Sequence, residues 1–285
     1  MKPAPFAFVR PRTLEEALAA LSDEPGAKVL AGGQSLVPLL SMRLAAPSML
    51  VDINGLPDLG HVTVDATGVR IGALARHSEV LASPEAAGSQ PLLAMALSNV
   101  AHPTIRNRGT TVGSVVHADS AAEMPMVLRL LGGSVDVASV RGRRTIPAAE
   151  LFAGPLESTL AHDEIAVEAF FPALPAGAGV AFEEIARRHG DYALAGVAAY
   201  VECTADEVVV ARLGFVSVSD VPTVVDVIDD LDDPAEAALR ELDPAADIHA
   251  SADYRAHLVR VLTQRVLAAA ITHALERTPG GAAHE

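Results

Sequence analysis

The sequence predicts an α+β chain built from three successive units, and three observations carry that expectation. Residues 28–38, Lys-Val-Leu-Ala-Gly-Gly-Gln-Ser-Leu-Val-Pro, run from a short apolar strand through two glycines into a new apolar segment. From about residue 56 the texture changes to period-two alternation with hairpin turns. Beyond residue 179, strand-like apolar runs precede one long helical stripe. A length of 285 residues suits two or three compact units.

In the first unit, residues 1–55, Thr13-Leu-Glu-Glu16 reads as a capping box opening a helix with Leu14, Ala17, Leu18 and Leu21 on one face. Asp23, Pro25 and Gly26 end it. Val29 and Leu30 form a strand, Gly32-Gly33 the turn, and Leu36, Leu39 and Leu40 the apolar face of a second helix. Residues 49–53 read as another strand, closed by Asn54-Gly55, which suggests a βαβ unit with a parallel pair.

The second unit, residues 56–175, has hairpins over 62–71 and 134–146 and a strand over 164–171. Between them a helical region from His77 to Val100 is interrupted at Ser83-Pro84 and Ser89-Gln-Pro91. The Pro-, Ala- and Gly-rich residues 172–179 mark a boundary. In the third unit, residues 176–285, strands are expected over 193–201 and 208–218. The acidic block 226–233 lacks EF-hand spacing and reads as a solvated loop or helix face. Ser251 or Asp253 caps a final helix over 254–275, and the tail from Thr278 is expected to fray.

Composition removes several function classes. With 36 acidic against 21 basic residues and a formal charge of −15, binding to nucleic acid or to an anionic membrane surface is not expected. The single Cys203 cannot form an intrachain disulfide or a Cys-built metal or iron–sulfur site, and fits a reducing cytoplasm. The first residues lack a signal-peptide core, and no uncharged apolar run reaches about 18 residues, so no membrane span is expected.

Chemistry is concentrated in three stretches. The Gly32-Gly33 turn permits positive φ and close approach of a ligand to backbone N–H groups, which suits an anion; a purely structural turn has the same look. Gly109, Thr110, Thr111, Gly113 and Ser114 crowd small donors together, flanked by Arg106 and Arg108 before them and His117, Asp119 and Glu123 after. That density suits a phosphorylated ligand, and also a tight loop between core elements. His117 and Asp119 lack a third metal ligand nearby and read as hydrogen-bonding groups. In Arg187-Arg-His-Gly-Asp-Tyr192, the Tyr192 ring either faces a planar cofactor or starts a core strand. Serine-hydrolase, Rossmann and P-loop signatures are absent.

Four motifs in order then carry a resemblance. They are Ala31-Gly-Gly-Gln-Ser-Leu36 with Pro38, Arg106-Asn-Arg-Gly-Thr110 through His117-Ala-Asp119, Arg187-Arg-x-Gly-Asp-Tyr192, and residues 247–257. Together they resemble the FAD-binding medium subunit of the molybdenum hydroxylases, the carbon monoxide dehydrogenase and xanthine dehydrogenase family, over essentially the whole chain. The resemblance implies an FAD-linked oxidase (PCMH-type) fold: two α/β FAD-binding subdomains followed by a smaller α+β C-terminal domain. It implies that Leu30, Ala31, Gly32, Gly33, Gln34, Ser35 and Leu36, with Thr110, Thr111, Gly113 and Ser114, wrap the FAD pyrophosphate and its neighbourhood. His117, Asp119 and Glu123 become polar cofactor contacts, Ile165 lies near the adenine end, and Tyr192 stands beside the flavin ring.

It further implies a large molybdopterin subunit and a small [2Fe–2S] subunit as partners, in a dimer of heterotrimers, with no proton-transfer catalyst on this chain. Departures from the family pattern are Val112 where a glycine is usual, Ser120 where proline is usual, and Glu183 where xanthine-oxidising members carry lysine. Val112 places a stiff β-branched side chain where positive φ is expected, which bears on loop conformation and flavin affinity. A stand-alone flavin oxidoreductase on the same fold, such as an enolpyruvyl-sugar reductase, and a scaffolding subunit with a degraded site are the alternative readings.

Overall fold

The structure, a computed structural model, describes residues 1–204 and 207–278. The expected fraying beyond Thr278 lies outside the described residues. Three sheets of three or more strands follow one another along the described chain, with one two-stranded pair besides. The first contains β1 (Ala7–Val9), β2 (Ala27–Leu30) and β3 (Met49–Asp52) in the order β1-β3-β2, with both pairs parallel. Helices α1 (Leu14–Asp23) and α2 (Leu36–Met42) make the crossovers. Thr13 caps α1 through its hydroxyl, 3.2 Å from the Glu16 N–H. The Glu16 carboxylate reaches back to the Arg12 N–H at 2.7 Å, one residue earlier than the expected capping box places it. The three-residue β1 has too little periodicity to be read from sequence.

The second sheet is antiparallel. Its strands are β4 (Val62–Asp65), β5 (Gly68–Gly72), β6 (Ser134–Ser139), β7 (Gly142–Pro147) and, after the small pair β8 (Phe152–Gly154) and β9 (Glu157–Ser158), β10 (Ile165–Pro172). The order β4-β5-β10-β6-β7 puts the last strand in the middle, where Phe171 and Ala169 are fully buried. Between β5 and β6 lie α3 (His77–Leu81), α4 (Pro84–Ser89), α5 (Pro91–Leu97), α6 (Pro103–Arg106), α7 (Thr111–His117) and α8 (Glu123–Leu130), with α9 (Ala148–Leu151) after β7. Prolines open α4, α5 and α6 at the first helical turn, where the missing N–H costs nothing.

The third sheet runs β11 (Ala178–Ala186), β12 (Ala193–Thr204), β13 (Glu207–Val216) and β14 (Thr223–Asp226) as an antiparallel meander. β11 was not expected, because Ala178 and Gly179 read as linker. Its Gly179 instead marks a close approach: a Cβ there would overlap the Ala270 carbonyl oxygen and the Ala274 N of the final helix. The acidic block becomes a turn and the cap of α10 (Pro234–Leu239): Asp233 accepts from the Glu236 N–H, and Asp230 binds Arg240 at 3.0 Å. Ser251 caps α11 (Ala252–Glu276).

By length and composition α11 is apolar enough to cross a bilayer. In this fold its Leu258, Leu262, Val266 and Ala270 are buried against β11 and β12. The opposite face of β12 is covered too. Ala195, Val197, Ala199 and Val201 join the α11 core, whereas Ala198 and Tyr200 join the core of the preceding unit. Burial on both faces explains the unbroken apolar run of β12. Residues 172–179 therefore separate sheets while the hydrophobic core continues across them.

Candidate cofactor site

A cleft of about 790 Å³ opens where the first sheet meets the second. One wall is the turn after β2. Leu30, Ala31, Gly32, Gly33 and Gln34 line it, with Val37 from α2. Gly33 has φ +72°, a left-handed conformation that favours glycine. Gly32 is required for a different reason. A Cβ on it would overlap the Arg108 carbonyl oxygen and lie 2.8 Å from Gly109 Cα and 3.0 Å from Thr110 N. The two walls therefore meet backbone to backbone. The N–H groups of residues 32–35 have no acceptor among the described residues.

The other wall, residues 107–110, is pinned from behind. Arg76 and Thr110 form a bridge, the His77 N–H donates to Gly109 O at 3.0 Å, and the Thr111 N–H donates to Ala75 O at 3.3 Å. His77 is buried, with Nδ1 3.2 Å from Thr111 Oγ1. Burial and the charge of Arg106 lower its pKa to about 4, so this histidine is a neutral strut.

Here the expected loop is corrected. Thr110 is the cap of α7, its hydroxyl accepting from the Gly113 N–H at 3.1 Å, and Thr111, Gly113 and Ser114 are helical. Both threonines are buried and spend their hydroxyls inside the protein, so they support the cleft wall rather than line the cleft. Val112 is also corrected. It lies within α7, outside the positive-φ positions, and its side chain is buried in the core, where a β-branched residue packs without strain.

The cleft's charge is opposite to that of the chain. Arg10, Arg76 and Arg108 line it, with Asp52 and Asn54 from the carboxyl end of β3 and Asn107 beside them. Asp52 is the carboxylate there, and it faces Arg10 at 3.6 Å. The Arg108 side chain has no partner among the described residues. None of these six was expected as a site residue. Asn54 reads as turn punctuation, Asn107 and Arg108 stand in the stretch that flanks the small donors without being taken as contacts, and Arg10 and Arg76 lie outside every motif. The one available signal was position, since ligands in parallel α/β units gather beyond the carboxyl ends of strands.

Three further expected residues gather elsewhere. After α7 ends at His117, Ala118 turns with φ +57° and Asp119 accepts from the Ala121 N–H at 2.9 Å. Glu123 opens α8 and is buried. Burial, then the charges of Glu184 and Asp119, raise its pKa to about 8. Burial likewise raises Glu184, on β11, to about 7, and its Oε2 has no hydrogen-bond partner among the described residues. Tyr192 is 66% exposed as a residue, while partial burial and the carboxylates of Asp119 and Glu123 hold its phenol above the usual range. Asp119, Glu123 and Tyr192 thus form one cluster, to which Glu184 is an unforeseen addition.

Ser35 and Leu36 start α2 just beyond the cleft lining, and His117 is the last residue of α7. Ile165, at the start of β10, is buried opposite Ala138 and joins neither the cleft nor the cluster.

The cleft suits a large anionic ligand. Its volume is in the range that holds a drug-sized molecule, roughly 300–1,000 Å³. Glycine lets backbone approach where a Cβ would block it, free N–H groups supply donors, and three guanidinium groups supply positive charge. FAD, with its diphosphate, fits that donor set.

Residues 4–174 match the family model described as "FAD binding domain in molybdopterin dehydrogenase". The chain is 41% identical over 287 residues to the 6-hydroxypseudooxynicotine dehydrogenase complex subunit alpha of Paenarthrobacter nicotinovorans, covering 96% of this chain and 97% of that one. It is 32% identical to the carbon monoxide dehydrogenase medium chain of Hydrogenophaga pseudoflava, covering 95% and 98%. Among solved structures it is similar to quinoline 2-oxidoreductase from Pseudomonas putida 86, with a TM-score of 0.89, 36% identity, and coverage of 96% and 99%.

Proposed function

This chain belongs to the FAD-binding medium subunits of the molybdenum hydroxylases, and from that premise we propose that it is the electron-exit subunit of a heteromeric oxidoreductase. FAD bound here would accept electrons delivered from [2Fe–2S] clusters on a small partner chain and release them to an external acceptor. The molybdopterin centre that oxidises substrate belongs to a large partner chain. The assembly is a dimer of such heterotrimers in the cytoplasm, in keeping with one buried Cys203.

The observation that carries this reading is Gly32 set against residues 108–110 beneath three arginines. There the chain supplies backbone donors from residues 32–35 and positive charge from Arg10, Arg76 and Arg108, which together suit the FAD diphosphate. Tyr192, exposed next to Asp119 and Glu123, is the proposed neighbour of the flavin ring. Thr110, Thr111, Gly113 and Ser114 act by holding the second wall in place. The scaffold alternative loses its premise once Val112 is buried inside a helix.

Identity to the nicotine-derived and quinoline enzymes, 41% and 36%, exceeds that to the carbon monoxide enzyme at 32%. This favours a complex that acts on a nitrogen-containing organic substrate held by the large chain. Purifying the chain with its partner chains and measuring the flavin spectrum tests the reading. The expected result is about one FAD per chain; a colourless, fully assembled complex contradicts it.

A further inference from the structure

One wall of the cleft is the turn after β2 and the other the segment between α6 and α7, and a polar relay joins them. Asp52 Oδ1, at the end of β3, accepts from the Asn54 backbone N–H at 3.0 Å and from Asn54 Nδ2 at 2.6 Å. The same Nδ2 donates to Ala31 O at 2.8 Å, which holds the glycine turn. Asn54 Oδ1 then accepts from one terminal nitrogen of Arg76 at 2.8 Å. The other terminal nitrogen of Arg76 donates to Arg108 O at 2.6 Å. That carbonyl is the atom against which Gly32 packs.

From this geometry we infer that Asn54 and Arg76 are positioning residues, a clamp that sets the spacing of the two cleft walls and so preorganises the site for FAD. The inference rests on the reading of the cleft as the FAD site. Two features set it apart from a simple charge effect. First, both terminal nitrogens of Arg76 are committed to protein acceptors on opposite walls. A planar guanidinium spans two such acceptors at once; an ammonium is a point charge and does not. Second, Asn54 is uncharged and spends its amide on the protein, Nδ2 donating to Asp52 and Ala31 and Oδ1 accepting from Arg76, so its role in binding FAD acts through the walls it ties together. A ligand that meets walls already in place avoids the ordering cost of binding.

The test compares Asn54→Ala, Arg76→Ala, Arg76→Lys and the double variant Asn54→Ala/Arg76→Ala. Each is purified as the complex with its partner chains, stripped of flavin and titrated with FAD by fluorescence, with a thermal melt of the same sample. The clamp predicts that Asn54→Ala and Arg76→Lys each weaken FAD binding about tenfold or more, the loss expected for a broken hydrogen bond to a charged group. The double variant should be no worse than the more severe single one, because both break one relay. Melting temperatures should stay near wild type, which separates positioning from stability. Arg76→Lys that binds FAD like wild type would overturn the clamp and make Arg76 a charge alone, and additive losses in the double variant would overturn it as well. Arg76→Lys keeps the test decisive even where Asn54→Ala unfolds. Wild-type complex that takes up no FAD refutes the functional reading itself, a different outcome from wild-type binding with unaffected variants.

Discussion

Two polar regions of this molecule use charge in opposite ways. The cleft gathers three arginines, half-buried or exposed, around bare backbone, in a chain whose formal charge is −15. The cluster beside the third sheet sets Asp119 and Glu123 by Tyr192 and Glu184 by Glu123, with Glu123 buried. Arginine stays charged at every working pH, so the cleft offers a fixed positive field to a fixed anion. The buried acids titrate near neutrality, so that region changes charge within the working range. The contrast is between a region whose charge is fixed and one whose charge depends on pH.

Substitutions that break the comparison most sharply fall in the cleft. Gly33→Val forces a β-branched residue into φ +72° and brings its Cβ to about 3.1 Å from Leu30, so FAD retention should be lost entirely. The third sheet, whose core rests on α11, should keep its far-ultraviolet signature in that variant. Arg108→Glu reverses a charge that has no side-chain partner among the described residues, and should weaken FAD binding about tenfold or more. Titration at about 1 M salt should shrink that loss. An Arg108→Glu complex with wild-type affinity would detach the positive lining from ligand binding.

The acidic region sharpens the comparison through pH. Glu123 is raised to about 8 and Glu184 to about 7, so the fold binds protons that the unfolded chain, with carboxyls near 4.5, releases. The stability they confer is full below about pH 4.5, falls as pH rises, and levels off once both have ionised above about 8. Glu123→Gln should therefore flatten the decline in melting temperature between pH 6 and about 9. A decline of unchanged slope would mean Glu123 is ionised throughout. His77 works in the other direction: held near 4, it costs stability as pH falls below its ordinary 6.5, and His77→Gln should soften acid unfolding. The smallest effect is expected from Tyr192→Phe, which keeps the exposed ring, should retain FAD, and should move mainly the pH profile of the flavin spectrum.

How much of this was legible beforehand depended on whether the signal was local. The Gly32-Gly33 turn, the helix cap at Ser251 and the prolines that divide the helices after His77 are short-range features, and they stand where the sequence places them. The FAD-binding family was legible as well, because four motifs keep their order. β11 was missed because its packing against α11, not any propensity of Ala178 and Gly179, makes it a strand. Thr110 to Ser114 was misread as a loop because a threonine cap and a glycine-rich first turn look alike in sequence. Arg10, Asn54 and Arg76 were invisible as site residues because they meet only when the first two sheets come together.

The central claim is that the turn after β2 and the segment before α7 meet at Gly32 to form the proposed FAD site, and the most direct measurement is the FAD content of a Gly32→Ala complex. Alanine adds only the Cβ that would overlap the Arg108 carbonyl and crowd Gly109. The claim predicts an assembled complex in which FAD affinity falls about tenfold or more, although one methyl group is the only change. Full FAD occupancy and unchanged affinity in that complex would contradict it.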